Sequence, residues 1–311
     1  MKILKTSSLI IFILSFLFIL FPASFSSEEI RFVVSLEEKQ DSVIQGLSKE
    51  NLIRNPSLFR LLVSVMKIPA EIEPGAYKLK RNLWLPVLAN TLLYHPYQKW
   101  VLLRPGLRKE QVAEIISDTF SWNKQTEKEF IDSAEEGYLF PDTYLFETNQ
   151  SPDYFIAKMK NNFNEKFDAQ LQSDLLARDV RNDTAVKIAS LIERESGSDS
   201  DKALIAGIIW NRLLKDMRLQ IDAATQYILG TPGNWWPRVK PADHKTESPY
   251  NTYLNKGLPP LPISNPSLSS IRSAVYPQET DCLYYIHDKN KQIHCSKTYE
   301  EHLENINIYL K

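Results

Sequence analysis

Alternating apolar and polar segments predict strands and helices in the first third of the chain. The stretch IRFVVSL, residues 30–36, is rich in β-branched residues and predicts a strand. Apolar positions near helical spacing in 41–53 predict a helix, and a second helix is predicted from Asn55, as N-cap, with Pro56 in its first turn. The stretch IEPGAYKL, 72–79, predicts a turn and a strand. Together these elements form a β-α-α-β unit that, after a further helix, ends near Tyr97.

The later part of the chain predicts helices first and loops afterwards. A strand in WVLLRPG is followed by segments with helical apolar spacing, which are residues 108–120, 151–167, 183–196 (entered through Asp183) and 201–217. After Gly230 the chain is too rich in Pro, Gly and Asn for regular structure until a short helix in 266–276. CLYYI and QIHCS predict a hairpin, and Thr298 with Glu301 predicts a capping box on the last helix. The prediction is an α+β fold.

The N-terminus carries an apolar run with a basic flank. Lys2 and Lys5 precede apolar residues from about Leu9 to Phe21, and small residues follow. This pattern indicates an export signal or a single membrane anchor, with the lysines cytoplasmic and the rest of the chain exported. The expected organisation is a membrane anchor or signal segment at 1–27, a small module at 28–97 and a larger domain at 98–311.

Composition and motif content argue against several classes of function. Lys and Arg number 37 against 38 Asp and Glu, so no strong positive field favours nucleic acid. Cys282 and Cys295 do not have the spacing of a metal site, and His294 and His302 fit a hairpin and a surface helix more simply. The sequence contains no phosphate-binding loop, G-x-S-x-G elbow or H-E-x-x-H motif. We therefore expect no metal and no cofactor.

Two glutamates in the stretch ASLIERES, 189–196, are candidates for acid–base chemistry. In a helix, successive residues are rotated by about 100°, which brings the apolar residues of this stretch into one buried stripe. Glu193 and Glu195 lie about 80° to either side of that stripe. Both therefore lie at the border of the buried face, and periodicity does not choose between them. A partly desolvated carboxyl has a raised pKa and suits a general acid. The alternative is a solvated helix end.

Other polar and aromatic residues are candidates for substrate binding. The stretch EEGYLFPDTYLF crowds aromatic rings that either stack on sugars or pack a core. NRLLKDMRLQID supplies planar polar groups, and SPYNTY places polar and aromatic groups on a loop. The candidate binding residues are Glu136, Tyr138, Asp142, Tyr144, Glu193, Asn211, Arg218, Gln220, Asp222, Tyr250, Asn251 and Tyr253.

Several motifs follow one another along the chain in a fixed order. They are EGYLFPDTY, ASLIERES, NRL with MRLQ, SPYNTY with GLPP and PISNP, and TYEEH. In this order the chain, from about residue 30 to its end, resembles the YceG-like (MltG) endolytic murein transglycosylases. The resemblance implies a LysM-like module at 28–97, a single inner-membrane span and a periplasmic catalytic domain. It implies cleavage of the β-1,4 bond between N-acetylmuramic acid and N-acetylglucosamine inside glycan strands, with 1,6-anhydro products that limit nascent strand length. Glu195 would be catalytic and Glu193 supporting.

The resemblance also implies partners and leaves alternatives open. Peptidoglycan glycan strands and the inner membrane are the expected partners, with peptidoglycan synthases as further candidates. QIDAAT, 220–225, and GLPPLPI, 257–263, depart from the family pattern. An anchored peptidoglycan-binding or divisome-associated protein without turnover is one alternative, and a hydrolase pairing Glu195 with Asp222 or Glu136 is another. For the transglycosylase, we expect Tyr138, Asp142, Gln220 and Asn251 around one groove that contains Glu195.

Overall fold

A computed structural model describes residues 20–66 and 72–310, which form two compact units. The first unit contains the described residues up to Val101 together with Thr143–Gln150. The second contains Leu102–Asp142 and the chain from Ser151 onward. Most of the predicted anchor, residues 1–19, lies outside the described residues. Within the described ranges, no helix has both the length and the apolar character needed to cross a bilayer.

The first unit is built on a four-stranded sheet in the order β1-β2-β3-β4. Its elements are β1 (Glu29–Val34), α1 (Gln40–Lys49), α2 (Pro56–Val65), β2 (Gly75–Lys80), α3 (Leu85–Tyr94), β3 (Gln98–Leu102) and β4 (Thr143–Glu147). Strands β1 and β2 pair antiparallel along their whole length, with Phe32 opposite Tyr77. The predicted β-α-α-β order is confirmed by this pairing and by the two helices between the strands.

Local signals account for the boundaries in the first unit. The Asn55 side chain accepts hydrogen bonds from the amides of Ser57 and Leu58, so the predicted N-cap of α2 is confirmed. Apolar side chains of α1, α2 and α3 pack on one face of the sheet. This core is buried, and its largest members include Tyr77, Phe59, Ile44, Leu47, Leu79, Leu88 and Leu92.

The second unit is mainly helical. Its helices are α4 (Lys109–Phe120), α5 (Lys124–Ser133), α6 (Pro152–Lys166), α7 (Ala169–Leu176), α8 (Asn182–Glu195), α9 (Lys202–Leu214), α10 (Asp222–Leu229), α11 (Leu268–Val275) and α12 (Tyr299–Tyr309). Helix α8 lies at the centre, packed against α7, α9, α10 and α11. Its apolar residues are fully buried, namely Ala185, Val186, Ile188, Ala189, Leu191 and Ile192. The described chain is therefore α+β, as predicted.

Two of these helices test details of the sequence prediction. Helix α8 begins at Asn182, one residue before the predicted entry, and Asp183 instead receives a hydrogen bond of 2.8 Å from Arg181 in the first turn. Helix α12 has the predicted capping box, because Thr298 accepts from the Glu301 amide and Glu301 accepts from the Thr298 amide.

A hairpin of β5 (Tyr284–His287) and β6 (Ile293–Ser296) precedes α12. The strands pair antiparallel, with Tyr285 opposite Cys295, so the predicted hairpin is confirmed. A disulfide joins Cys282 to Cys295, with their Cα atoms 5.8 Å apart. The disulfide therefore closes the base of the hairpin, at the strand that carries Tyr284 and Tyr285.

Candidate active site

The last turn of α8 sends three consecutive side chains into three different surroundings. Glu193 faces the start of α11, the Arg194 guanidinium lies 3.8 Å from the centre of the Trp236 ring, and Glu195 faces a cavity. Because Glu195 ends the helix, the following residues turn away and leave its carboxyl group accessible from the cavity. The structure thus separates two glutamates that periodicity treats alike.

Glu193 is held by a complete set of donors. Its Oε2 accepts hydrogen bonds from the Ser267 amide at 2.9 Å, from the Ser267 hydroxyl, and from the Ser270 hydroxyl at 2.6 Å. The ammonium group of Lys202, which is itself buried, lies 3.4 Å from the same oxygen. A carboxylate satisfied in this way fixes the N-terminus of α11 against α8.

Glu195 has two donors that reach it from separate parts of the second unit. Its Oε2 accepts a hydrogen bond of 2.7 Å from the Tyr285 hydroxyl on β5. Its Oε1 accepts one of 3.4 Å from the amide of Ala223, in the first turn of α10. The two contacts orient both oxygens of the carboxyl group while leaving it on the wall of the cavity.

Opposing effects act on the proton affinity of Glu195. Burial raises the pKa of this carboxyl above its usual range, and the nearby charge of Asp222 raises it further. The hydrogen bonds from Tyr285 and Ala223 act in the opposite direction because they stabilise the carboxylate. Tyr285 stays a donor, since burial and the Glu195 charge raise its pKa well above the ordinary value. A carboxyl with a raised pKa and preformed donors is suited to give up a proton and take one back.

The cavity has a volume of about 310 Å³, at the small end of the range for ligand sites. Its walls come from α8, α9, the segment before α10, the hairpin and α12. The residues are Glu195, Ile208, Ile209, Arg212, Leu219, Gln220, Ile221, Asp222, Tyr253, Tyr284, Tyr285, Tyr299 and His302. Aromatic rings and planar polar groups surround one carboxyl pair, a combination that suits the ring faces and hydroxyls of a sugar.

Asp222 is the second carboxylate of the cavity, and its surroundings differ from those of Glu195. Its side chain is 56% exposed, and its Oδ1 accepts a hydrogen bond of 2.7 Å from the Tyr253 hydroxyl. His244 lies 3.1 Å from the same oxygen and stacks on the Tyr253 ring. The exposed Asp222 is thus positioned to carry negative charge beside the partly buried Glu195.

Gln220 adopts a backbone conformation that side chains rarely occupy. Its φ is 52°, its amide donates to the Thr252 carbonyl at 3.1 Å, and its side-chain oxygen lies 3.5 Å from Arg212 Nη1. Such strain is retained where the surrounding structure enforces it. Here the turn at Gln220 brings the amide of Ala223 to Glu195.

The predicted site residues divide into two groups. Glu195, Gln220, Asp222 and Tyr253 line the cavity. Outside the cavity wall lie Glu136, Tyr138, Asp142, Tyr144, Glu193, Asn211, Arg218, Tyr250 and Asn251. Of the four residues expected around one groove with Glu195, Gln220 lines this cavity, whereas Tyr138, Asp142 and Asn251 lie outside its wall.

Most of the residues outside the wall have roles in packing. Asn251 is fully buried and donates to the backbone carbonyls of His244 and Thr246, while Asn211 donates to those of Thr280 and Cys282. The aromatic residue Tyr144 belongs to β4 of the first unit and is buried. The core-packing reading of this aromatic segment is therefore the correct one for Tyr144.

The remaining predicted residues also lie away from the cavity of Glu195. Tyr138 lines a different cavity, beside α7 and the start of α8. The Asp142 carboxylate is exposed and accepts a hydrogen bond from Asn162, and the Arg218 side chain is exposed. The Tyr250 ring packs 5.0 Å from that of Tyr227.

Glu136 is buried in a network around Asn265, so it does not share the cavity of Glu195. It accepts hydrogen bonds from the Lys109 amide at 3.1 Å and from the Asn265 amide group at 3.1 Å. Asn265 also accepts from the backbone amides of Gly137 and Leu139. Burial, with the Glu110 charge, raises the pKa of Glu136 to about 8. The motifs EGYLFPD and PISNP thus bind each other through Asn265.

Sequence reasoning did not select several residues of the cavity. Tyr284 and Tyr285 were assigned only to a hairpin, and His302 only to a surface helix. Arg212 lies in the stretch NRLLKDMRLQID, from which only Asn211, Arg218, Gln220 and Asp222 were selected as candidates. One usable signal was present, since two consecutive tyrosines lie in a short, half-buried strand next to a disulfide.

A cavity-lining carboxyl with a raised pKa, a second carboxylate and aromatic walls define an enzyme of the acid–base class, suited to glycosidic bonds. The chain belongs to the YceG-like family, whose sequence model matches residues 32–308.

Named relatives and a solved structure agree with this assignment. An endolytic murein transglycosylase of Bacillus subtilis is 30% identical over 284 residues, covering 82% of this chain and 78% of that protein. One from Streptococcus pneumoniae is 32% identical over 174 residues, or 55% of this chain, and this match spans 31% of that protein. The crystal structure of a yceG-like protein from Listeria monocytogenes matches with a TM-score of 0.60 and 28% identity, covering 90% of this chain and 99% of that one.

Proposed function

We propose that this protein is an endolytic murein transglycosylase, a lyase that cuts peptidoglycan glycan strands between N-acetylmuramic acid and N-acetylglucosamine. The observation that carries the proposal is the surroundings of Glu195. Its carboxyl group lies on a cavity wall, has a pKa raised by burial and receives hydrogen bonds from Tyr285 and Ala223. The relatives named as endolytic murein transglycosylases support the substrate and the reaction.

The reaction needs one group that acts first as an acid and then as a base. Glu195 donates its proton to the glycosidic oxygen as the bond from this oxygen to the muramic C1 breaks. The C6 hydroxyl of the same muramic sugar then attacks C1, and its proton passes to the Glu195 carboxylate. A 1,6-anhydro ring forms, no water is consumed, and Glu195 returns to its protonated state. Because the nucleophile is already tethered to the ring, intramolecular delivery replaces a second catalytic group.

Asp222 has a supporting part in this scheme. Its carboxylate shares the cavity and is held by Tyr253 at 2.7 Å, so its negative charge is available near the oxocarbenium-like carbon. It also raises the proton affinity of Glu195, which favours the acid form at the start of the cycle. A hydrolase that uses Glu195 and Asp222 as a pair is the competing candidate, because both carboxyl groups line one cavity.

Product mass separates these two reactions. Purified glycan strands are incubated with the full-length protein, and the products are measured by mass spectrometry. Transglycosylation gives chains that end in anhydro-muramic acid, each lighter by one water than the product of hydrolysis. Internal cutting gives a broad range of lengths from the start, whereas trimming from an end releases disaccharides. Hydrolytic products would replace the proposal with the two-carboxylate hydrolase, and binding without any product would support a protein without turnover.

The proposal extends to the first unit and to location. We expect the βααβ order of 28–97, with β1 and β2 antiparallel, to act as a LysM-like glycan-binding module. The Lys-flanked apolar run supports a single span in the inner membrane with the catalytic domain on the periplasmic side. An enzyme held there would limit nascent strand length next to peptidoglycan synthases. Protease protection of the C-terminus in sealed inside-out vesicles would support this orientation, and digestion there would contradict it.

A further inference from the structure

Arg212, near the end of α9, places a buried guanidinium on the wall of the Glu195 cavity. The residue is 9% exposed. Its Nε donates to the Leu283 carbonyl at 2.6 Å, and its Nη1 donates to the Leu219 carbonyl at 2.7 Å and to the Arg218 carbonyl at 3.2 Å. These neutral acceptors fix the plane of the guanidinium group but do not neutralise its charge.

The charge of Arg212 has no counter-ion in the part of the chain that the structure describes. Over residues 20–66 and 72–310, no carboxylate oxygen lies within 4.0 Å of the guanidinium, and Nη2 makes no hydrogen bond. Buried cations in proteins are usually paired, because an uncompensated charge loses its hydration. The unpaired Nη2 is therefore a donor that remains for a ligand.

The neighbours of Arg212 also point to a ligand. The Tyr284 ring centre lies 5.0 Å from the guanidinium carbon, and the His302 ring stacks on Tyr284. Burial, and then the Arg212 charge, lower the pKa of His302, which favours the neutral imidazole. The buried Nδ1 of His302 also has no hydrogen-bond partner among the described residues. Arg212 thus supplies positive charge to the wall of a cavity whose exposed carboxylate is Asp222.

This inference rests on the proposed function: we propose that Arg212 forms an anion subsite that binds a free carboxylate carried by the muramic sugar. Peptidoglycan offers this group from two sources. One is a side-chain or terminal carboxylate of the stem peptide, and the other is the lactyl carboxylate that is exposed when the peptide is removed. Arg212 then selects the substituent of the sugar, whereas Glu195 cleaves the bond.

Three substrates of matched strand length test the subsite with the full-length protein. The first carries stem peptides with free carboxylates, the second carries the same peptides with their carboxylates amidated, and the third has had its peptides removed by an amidase. If the ligand is a carboxylate of the stem peptide, we expect the wild-type KM to rise by about tenfold or more from the first substrate to the second, because amidation removes a charge-assisted hydrogen bond. If the ligand is the lactyl carboxylate, which the peptide masks as an amide, the first two substrates should share one high KM. A low KM for the third substrate identifies the lactyl carboxylate as the ligand, and a high KM identifies the stem peptide.

Variants connect the preference to Arg212. Arg212→Gln should remove the difference in KM between the carboxylate-bearing substrate and the amidated substrate. Arg212→Lys should restore part of the preference, because it keeps the charge. Arg272→Gln, which removes an exposed charge on α11 away from the cavity, is the matched control and should keep the wild-type preference.

The outcomes separate this inference from the proposed function. If the wild-type protein cuts all three substrates with one KM, or if Arg212→Gln raises KM equally on all of them, the anion subsite is refuted and the transglycosylase stands. If the wild-type protein cuts none, the proposed function itself fails. If Arg212→Gln does not fold, the comparison of the three substrates with the wild-type protein still tests whether the site binds a free carboxylate.

Discussion

Removing the Tyr285 hydroxyl tests how the structure sets the proton affinity of Glu195. Tyr285→Phe keeps the ring on the cavity wall and deletes the donor that lies 2.7 Å from Glu195 Oε2. Because this hydrogen bond stabilises the carboxylate, its loss leaves burial as the dominant effect, and the pKa of Glu195 rises further. The acid must be protonated in the free enzyme, so the alkaline limb of kcat/KM should move to higher pH.

The structure also sets the size of this effect. A hydrogen bond to a charged group contributes about 1.5–3 kcal/mol, and the Ala223 amide at 3.4 Å remains as a donor, so we take the lower end. This value corresponds to a change of about tenfold in the ionisation constant, and hence to a shift of about one pH unit. At low pH kcat should also fall, by roughly tenfold, because the carboxyl loses an orienting contact. The assay is the rate of formation of anhydro ends on purified glycan strands across a pH series.

A neighbouring tyrosine provides the control. Tyr284→Phe also removes a hydroxyl from β5 and from the cavity wall, but Tyr284 makes no hydrogen bond to Glu195 among the described residues. Its alkaline limb should stay at the wild-type pH. A limb that stays in place or moves down in a folded Tyr285→Phe protein would refute the electrostatic role of Tyr285.

Three further predictions concern α8, the disulfide and α9. Glu195→Gln keeps the size of the side chain but cannot exchange a proton, so the rate of cleavage should fall by at least about 10²-fold while the melting temperature is unchanged. Glu193→Gln should mainly lower the melting temperature. The opposite ranking of the two variants would reverse the two roles. Reduction of Cys282–Cys295, 13 residues apart, should lower the free energy of unfolding by up to about 3 kcal/mol in denaturant titrations, and equal stability with and without reductant would contradict this. Gly207→Ala should destabilise the protein by about 1–3 kcal/mol, although Ala favours helices, because the added Cβ meets the backbone carbonyl of Gln278. A melting temperature at or above that of the wild type would refute this.

Periodicity and capping predicted much of the fold because those signals are local. Asn55 with Pro56 and Thr298 with Glu301 mark helix starts through contacts only a few residues apart. Helices α5, α7 and α10 were missed for the complementary reason. They have eight to ten residues, and α5 buries only Phe130 along its whole length, so no apolar stripe identifies it.

The site was harder to predict because its contacts are distant in sequence. Tyr285 and Glu195 are 90 residues apart, and Asn265 and Glu136 are 129 apart, so no window of sequence contains either pair. The motifs EGYLFPD and SPYNTY look like ligand-binding segments because buried polar networks and binding sites use the same residue types. Only the fold distinguishes an amide such as Asn251, which satisfies backbone carbonyls, from one such as Gln220, which lines a cavity.

Strand β4 is far in sequence from the other three strands of its sheet, so it is synthesised after them. Its residues, Thr143–Glu147, join a sheet whose other strands end by Leu102, while residues 102–142 belong to the second unit. A chain that grows from its N-terminus therefore has β1, β2 and β3 ready long before β4 arrives, and β3 keeps a bare edge during that interval. A fragment cut after residue 97 has neither β3 nor β4, so its β2 edge is open to pairing with other molecules. The first unit is thus a poor candidate for expression alone as a continuous piece. A version that runs through β3 and carries residues 143–150 on a linker should be more soluble than the fragment cut after residue 97.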